Sequence, residues 1–215
     1  WDLQPTEVLV TAGADDALFR ACVAVAGPGA RAVTTSPTFE MIPRYAALAR
    51  LAQDEVPWPE GPFPLEAFLD ACRGAAVAFI VSPNTPTGAV ATAAQVLEVA
   101  RANPGTLVVL DAAYGELAED DPTRAVLGEP NVVVMRTLSK AWGLAGLRVG
   151  CALGRPAWLR RLEAAGSPYP VSAASAAIAL ERLRTGADDV ARYAAAVRTE
   201  RDRLARELEQ LGSRP

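Results

Sequence analysis

The 215-residue sequence contains no histidine. This absence excludes the Ser-His-Asp and Cys-His arrangements of catalytic residues, and it excludes most zinc sites. Proton transfer in an enzyme with this sequence must therefore use lysine, a carboxylate or tyrosine. We expect no metal site.

Cysteine is scarce. Cys22, Cys72 and Cys151 are odd in number and far apart along the chain. This distribution is typical of small buried apolar side chains in a reducing compartment, not of a disulfide framework. Residues 1–5 do not have the pattern of a secretory signal. We therefore expect a cytoplasmic protein.

The sequence also lacks long apolar runs and long runs of one charge. No apolar stretch reaches the roughly 20 residues that a membrane-spanning helix needs. The net charge is only -4, without the basic clusters typical of proteins that bind nucleic acid. We therefore expect neither a membrane nor a nucleic acid as partner. The 51% of hydrophobic residues suffice for the core of one large domain, or of one domain and part of another.

Predicted strands and helices alternate along most of the chain. Continuous apolar runs are typical of strands buried on both faces, and shorter runs suggest further strands. This alternation predicts an α/β protein with three α/β/α layers and a mostly parallel sheet. The predicted strands cover residues 7–11, 31–35, 55–56, 75–81, 107–110, 132–135 and 149–153, and the predicted helices cover 17–25, 39–49, 65–73 and 93–102.

The pattern changes after Gly166. An alanine-rich helix is predicted over 171–184, and a long amphipathic helix over 188–211. We therefore divide the chain into a main domain over residues 1–186 and a long helical segment over 187–215. The apolar residues of the long helix recur at spacings of three and four; they are Val190, Tyr193, Val197, Leu204, Leu208 and Leu211.

Side chains of chemical interest follow the carboxyl ends of five predicted strands. In a parallel sheet these ends open into loops at one edge, where binding sites form. The sequence therefore predicts one site assembled from distant parts of the chain. Its candidate residues are Asp15, Phe39, Asn84, Thr85, Asp111, Tyr114 and Lys140.

Residues 137–150 carry the clearest chemical signal. The hydroxyl residues Thr137 and Ser139 come shortly before Lys140. Glycines follow the lysine, and Arg148 comes eight residues after it. An amine can form an imine with an aldehyde, and hydroxyls with a guanidinium can hold a phosphate dianion. The segment therefore suits an aldehyde cofactor that carries a phosphate. It is equally consistent with a strand, a glycine-rich turn and a surface lysine.

Five motifs together resemble the fold-type I pyridoxal-phosphate aminotransferases of class I and II, and most of all their histidinol-phosphate group. The resemblance implies pyridoxal 5'-phosphate as cofactor. It also implies transfer of an amino group from an amino acid or amino-alcohol phosphate to a 2-oxo acid, with glutamate and 2-oxoglutarate as the partner pair, and a homodimeric full-length protein. The motifs are Gly13-Ala14-Asp15-Asp16, Pro37-Thr38-Phe39-Glu40-Met41, Pro86-Thr87-Gly88, Asp111-Ala112-Ala113-Tyr114 and the segment 137–150.

The resemblance also implies individual roles. Lys140 would hold the cofactor as an imine and later move a proton, Asp111 would pair with the pyridine nitrogen, and Tyr114 would donate to the phenolic oxygen. Aspartate is also a common turn cap, and the aromatic residues also suit ordinary core packing. The other implied contacts are Phe39 on the ring face, Ser139, Arg148 and more weakly Thr137 at the phosphate, and the amides of Gly13, Ala14 and Asp15 at a helix N-terminus.

The sequence departs from the family at several positions. The family usually has asparagine directly before Pro-Thr-Gly, whereas here Thr85 stands there and Asn84 comes one residue earlier, so that either could contact the phenolic oxygen. Ala112 replaces a usual acidic residue. The family's N-terminal arm and small C-terminal domain have no counterpart, so we expect the sequence to be part of a longer protein.

Other functions stay open or are disfavoured. A decarboxylase or lyase of the threonine-phosphate decarboxylase type would also use Lys140 and Asp111, and the chain could be catalytically incompetent by itself. A dinucleotide-binding module is disfavoured because residues 143–150 lack the G-x-G-x-x-G order and lead into a strand. A Ser139–Lys140 hydrolase dyad is disfavoured because adjacent side chains on an extended chain point apart.

Overall fold

The apolar runs form the central strands of a sheet in the computed structural model, which describes residues 1–213. Leu107–Asp111, for example, is buried along its whole length because helices cover both faces of the sheet. The strands of the described region are β1 (Val8–Thr11), β2 (Arg31–Ser36), β3 (Ala52–Pro57), β4 (Val77–Val81), β5 (Leu107–Asp111), β6 (Val132–Thr137) and β7 (Gly150–Gly154).

The sheet is mostly parallel, as predicted. The strands lie in the order β1-β7-β6-β5-β4-β2-β3. The pairs β2/β3, β2/β4, β4/β5 and β5/β6 are parallel, whereas β7 is antiparallel to both β6 and β1. This pairing brings the carboxyl ends of β4, β5 and β6 to one edge of the sheet.

Helices cover both faces of the sheet, which confirms the predicted three-layer α/β/α architecture. Successive strand residues point to opposite faces. The helices within residues 1–213 are α1 (Gly13–Ala24), α2 (Met41–Leu48), α3 (Leu65–Cys72), α4 (Ala93–Ala102), α5 (Thr123–Val126), α6 (Pro156–Ala164), α7 (Ala173–Thr185) and α8 (Ala187–Gln210). Phe79 and Met135 pack beneath α1, α2 and α6, whereas Ile80 and Val134 pack beneath α3, α4 and α5.

The main differences from the predicted elements concern β3, α1 and α6, and the short helix α5 was also not predicted. β3 covers Ala52–Pro57 and not only 55–56. The prediction was too short because most side chains of this edge strand are exposed and polar, which is not the usual pattern of a strand. α1 begins at Gly13 and not at residue 17, because its acidic residues occupy the first turn of the helix and not a preceding loop. α6 was not predicted, although Pro156 at its first position is a recognised start signal.

The long C-terminal helix is confirmed as α8, but much of its apolar stripe is exposed. Val190 is buried near its start, whereas Tyr193 and Leu204 are 52% and 49% exposed. The predicted segment 187–215 extends two residues beyond the described part of the chain. Neither α8 nor any other helix within residues 1–213 is both long and apolar enough to cross a membrane.

All three cysteines lie within the described residues and are free thiols. Cys22 and Cys72 are buried as predicted, and burial raises the pKa of each thiol to about 12. Such thiols are poor nucleophiles at neutral pH. Cys151 corrects the prediction, since it is only half-buried and borders a groove beside β1 and β7.

Candidate active site

A cavity of about 140 Å³ opens at the carboxyl ends of β4, β5 and β6. Ten of its twelve lining residues are predicted site residues. The other two, Val81 and Ala113, were missed because apolar side chains carry no chemical signal. Ala113 directly precedes Tyr114, and Val81 pairs with Asp111 in the sheet. The lining residues are Ala14, Asp15, Phe39, Val81, Thr85, Asp111, Ala113, Tyr114, Thr137, Ser139, Lys140 and Arg148.

Two predicted site residues, Gly13 and Asn84, do not line this cavity. Gly13 has φ +80°, and a Cβ atom there would lie 2.8 Å from Nη2 of Arg148. Glycine therefore allows the guanidinium to lie against the first turn of α1. Asn84 borders a neighbouring cavity of about 700 Å³ and is 3% exposed.

The structure separates the two candidates for the contact with the phenolic oxygen. Thr85 lines the smaller cavity, whereas the Asn84 side chain holds two loops together. Its amide nitrogen donates to the Pro37 carbonyl at 3.0 Å and to Thr87 Oγ1 at 2.9 Å, and its oxygen accepts from Thr38 Oγ1 at 3.0 Å. The side chain of Asn84 is thus used in hydrogen bonds between the loops, whereas Thr85 lines the cavity.

Replacing Asn84 by alanine is expected to destabilise the chain by about 1–3 kcal/mol, because three partly buried hydrogen bonds that join the two loops are lost. The matched control is Thr85→Ala, for which we expect a stability change within about 1 kcal/mol. Urea denaturation of both variants measures the difference. Equal stability losses would contradict the distinction between the two neighbours.

Asp111, the last residue of β5, is a buried carboxylate. It is 3% exposed, and its Oδ1 accepts from the Ala113 amide at 3.1 Å. Burial raises the pKa of the Asp111 carboxyl from 3.8 to about 6, and this amide opposes the rise. The charge of Asp15 raises the pKa further, whereas Lys140 and Arg136 lower it. Within residues 1–213 Asp111 forms no ion pair, so the carboxylate is suited to a cationic partner.

Lys140 is the only lysine in the sequence. It follows β6, is exposed and lines the cavity. Its Nζ lies 4.9 Å from the centre of the Tyr114 ring, within the range of a cation–π contact. The structure therefore brings an amine, a phenol and the Asp111 carboxylate to one cavity.

An anion cradle borders the same cavity. Arg148 places its Nη2 2.9 Å from the Asp15 carboxylate and its Nη1 3.4 Å from Ser139 Oγ. Thr137 Oγ1 donates to Ser139 Oγ at 3.0 Å and accepts from the Ser139 amide at 3.1 Å. Ala14 and Asp15 in the first turn of α1 line the same cavity, and a helix N-terminus favours anions. The arrangement is suited to a phosphate group.

The position of Phe39 is compatible with both interpretations, so its role on a cofactor ring stays a prediction. It lines the cavity and also packs against the apolar cluster beneath α1 and α2. Its ring is half-buried, so one part remains available to a ligand.

Comparison with known proteins agrees with this geometry. The chain matches the model of the family "Aminotransferase class I and II" over residues 1–214. It is 38% identical over 211 residues to histidinol-phosphate aminotransferase 2 of Nitrosococcus oceani, which covers 95% of this chain and 57% of the relative. It is 35% identical over 220 residues to the histidinol-phosphate aminotransferase of Xanthomonas euvesicatoria pv. vesicatoria, with coverage of 96% and 60%.

A solved structure shares the fold. The histidinol-phosphate aminotransferase of Sinorhizobium meliloti in complex with pyridoxal-5'-phosphate superposes with a TM-score of 0.89 at 28% identity, over 97% of this chain and 58% of that chain. The chain thus spans 57–60% of the length of these two curated relatives. These matches confirm the resemblance found in the sequence motifs. The chain belongs to the class I and II aminotransferases.

Proposed function

We propose that this chain carries the cofactor site of a pyridoxal 5'-phosphate-dependent aminotransferase. The observation that carries the proposal is that the only lysine, Lys140, and the buried carboxylate of Asp111 line the same cavity. When bound, pyridoxal 5'-phosphate supplies an aldehyde and an electron-withdrawing ring. Residues 1–186 would form the domain that holds it.

The residues present fit this cofactor. Asp111 has no ion-pair partner within residues 1–213, and a protonated ring nitrogen would supply the missing cation. Lys140 supplies an amine that bonds to aldehydes and that can take up and return a proton at Nζ. Tyr114 offers a phenol beside this amine. Thr85 offers a second hydroxyl in the same cavity.

The anion cradle would hold the cofactor phosphate. Ser139 and Arg148 supply a hydroxyl and a guanidinium, and the start of α1 supplies backbone amides. The Arg148 guanidinium pairs with Asp15, whose carboxylate keeps Arg148 turned toward the helix start. Both side chains are partly exposed, so exchange of this pair for a phosphate is expected to cost little.

The substrate would be a small amino donor, with a 2-oxo acid as acceptor. The cavity of about 700 Å³ shares Thr85 and Tyr114 with the cofactor cavity and offers space for it. The curated relatives named above are histidinol-phosphate aminotransferases, so we propose an amino-alcohol phosphate of this type as donor and the glutamate/2-oxoglutarate pair as partner. We also propose that the full-length protein is a homodimer.

The decisive experiment is covalent trapping. The purified chain is mixed with pyridoxal 5'-phosphate, reduced with borohydride and measured by intact mass and peptide mapping. We expect one cofactor on Lys140, and at least about tenfold less trapping in Lys140→Ala, because no other side chain offers an amine. Equal trapping in both proteins would overturn the proposal.

Arg155→Lys is a matched control for site selectivity. It places a second lysine at the exposed start of α6, at the edge of the sheet away from the site. If the cavity directs the reaction, the cofactor remains on Lys140 in this variant. Labelling of both lysines alike would indicate unspecific amine chemistry.

The reaction type is tested on the full-length protein. Histidinol phosphate with 2-oxoglutarate should yield glutamate if the protein is a transaminase. Release of carbon dioxide from an amino-acid phosphate, without glutamate formation, would favour the decarboxylase alternative.

A further inference from the structure

A charged cluster around the buried Arg136 lies beside the cavity. Arg136 in β6 is 4% exposed, and its guanidinium binds the carboxylates of Glu116 at 2.8 Å and Asp121 at 2.7 Å. Its Nη1 also donates to Thr123 Oγ1 at 3.1 Å. Trp142 Nε1 donates to the same oxygen of Glu116, at 2.9 Å. Glu116 Oε1 therefore joins β6 to the loop that follows Lys140.

Members of this cluster are close in sequence to the site residues. Glu116 comes two residues after Tyr114, and Trp142 comes two residues after Lys140. Between Tyr114 and Glu116, a Cβ atom at Gly115 would collide with Nη1 of Arg136, so glycine is required for this close approach. The cluster thus fastens the segment that carries the phenol to the segment that carries the amine.

Stability alone does not account for the cluster. Glu116 Oε2 and Arg136 Nε are buried, and neither has a hydrogen-bond partner in the described part of the chain. Buried ion clusters are often no more stabilising than apolar side chains of similar volume, and unpaired buried atoms add a cost. A role in fixing geometry would offset this cost.

We propose that Arg136 and Glu116 are positioning residues, which hold the Tyr114 phenol and the Lys140 amine toward the same bound cofactor. Neither residue lines the cavity, so both act through the segments that they join. The inference rests on the proposed function as far as the cofactor is concerned. The connection between the two segments can be tested without cofactor.

Glu116→Ala removes the acceptor that Arg136 and Trp142 share. Glu116→Gln keeps one oxygen at this position, and Trp142→Phe removes one hydrogen bond while it keeps a ring. The matched control is Asn131→Ala. Asn131 directly precedes β6, at the end of the strand away from Arg136, and is 5% exposed. Its side-chain amide donates to three backbone carbonyls at 3.0, 3.1 and 2.9 Å.

Two measurements are made on each variant, alongside its thermal unfolding midpoint. The first is amide hydrogen exchange of the cofactor-free chain, in the peptides that contain Tyr114 and Lys140. The second is the dissociation constant for pyridoxal 5'-phosphate from the absorbance of the bound cofactor. A change in overall stability alone would move the unfolding midpoint without a selective change in these two peptides.

For Glu116→Ala we expect faster exchange in both peptides and roughly tenfold weaker cofactor binding, equivalent to the loss of one hydrogen bond to a charged group. Glu116→Gln should recover most of both losses, and Trp142→Phe should show smaller changes of the same sign. Asn131→Ala should lower the unfolding midpoint without either change.

The inference is overturned if Glu116→Ala and Trp142→Phe change exchange and binding no more than Asn131→Ala does. If the wild-type chain takes up no cofactor on Lys140, the proposed function fails instead. In that case the exchange rates of the two peptides alone decide whether the cluster fixes their relative position.

Discussion

Replacement of Asp111 by asparagine is expected to make the cofactor-free chain more stable at neutral pH. Asparagine can still accept a hydrogen bond from the Ala113 amide, but it carries no charge to bury. Burial raises the pKa of Asp111 from 3.8 to about 6, and this difference corresponds to about 3 kcal/mol of destabilisation once the group is ionised in both states. The gain in stability should approach this value at pH 7.

The contribution of Asp111 to the free energy of unfolding is expected to depend on pH. Because the folded chain binds the Asp111 proton more tightly than the unfolded chain, the contribution of Asp111 to stability falls as pH rises from about 4 to about 6. Asp111→Asn should lack this fall, and its stability should converge with that of the wild type near pH 4. Urea denaturation across this range measures the difference. Glu98→Gln, an exposed carboxylate on α4, should change stability by at most about 0.5 kcal/mol.

The same substitution is expected to weaken binding of pyridoxal 5'-phosphate by roughly 10- to 100-fold, because a charge-assisted hydrogen bond to the ring nitrogen is lost. A gain in stability together with a loss of binding is the expected signature of a group retained for function. Unchanged stability at pH 7 with unchanged cofactor affinity would contradict the assignment of Asp111.

Gly150→Ala is expected to cost at least about 1–3 kcal/mol of stability and to weaken cofactor binding. The added Cβ atom would lie 2.6 Å from the Gly13 carbonyl carbon, 2.7 Å from the Arg136 oxygen and 2.8 Å from the Ala14 amide nitrogen. All three are backbone atoms, which cannot move aside by a change of rotamer, so the start of α1 must shift away from β6 and β7. That shift would displace the amides of the anion cradle.

Gly128→Ala is the matched control, because a Cβ atom there meets nothing within 4 Å. Denaturation and cofactor titration of both variants test the expectation. If Gly150→Ala matched Gly128→Ala in stability and in affinity, the close contact between α1 and β7 would not determine the site.

The central strands and the clustering of the site residues were predictable, because both depend on strong local patterns. Leu107–Asp111 is a continuous apolar run that ends in a carboxylate, and a parallel sheet places such ends together. Details that depend on tertiary contacts were not predictable. An arginine next to a hydroxyl in a strand is normally exposed, and nothing local to Arg136 indicates that its acidic partners lie 15 and 20 residues earlier.

The loop before Pro86 shows the same limit. Asn84 and Thr85 are adjacent polar residues of similar hydrogen-bonding capacity, and only the path of the loop decides which one faces the cavity. The edge strand β3 was underestimated for a related reason. Its exposed side chains could be polar without penalty, so its sequence resembles a loop.

The single lysine also has a spectroscopic consequence. A chain prepared with lysine labelled at one side-chain atom gives one NMR signal from that label, and the signal comes from Lys140. Its chemical shift followed against pH would measure the protonation of this amine directly, without spectral overlap and without any substitution. Repeating the titration in Asp111→Asn and Glu116→Ala would show how each of the two carboxylates influences that proton.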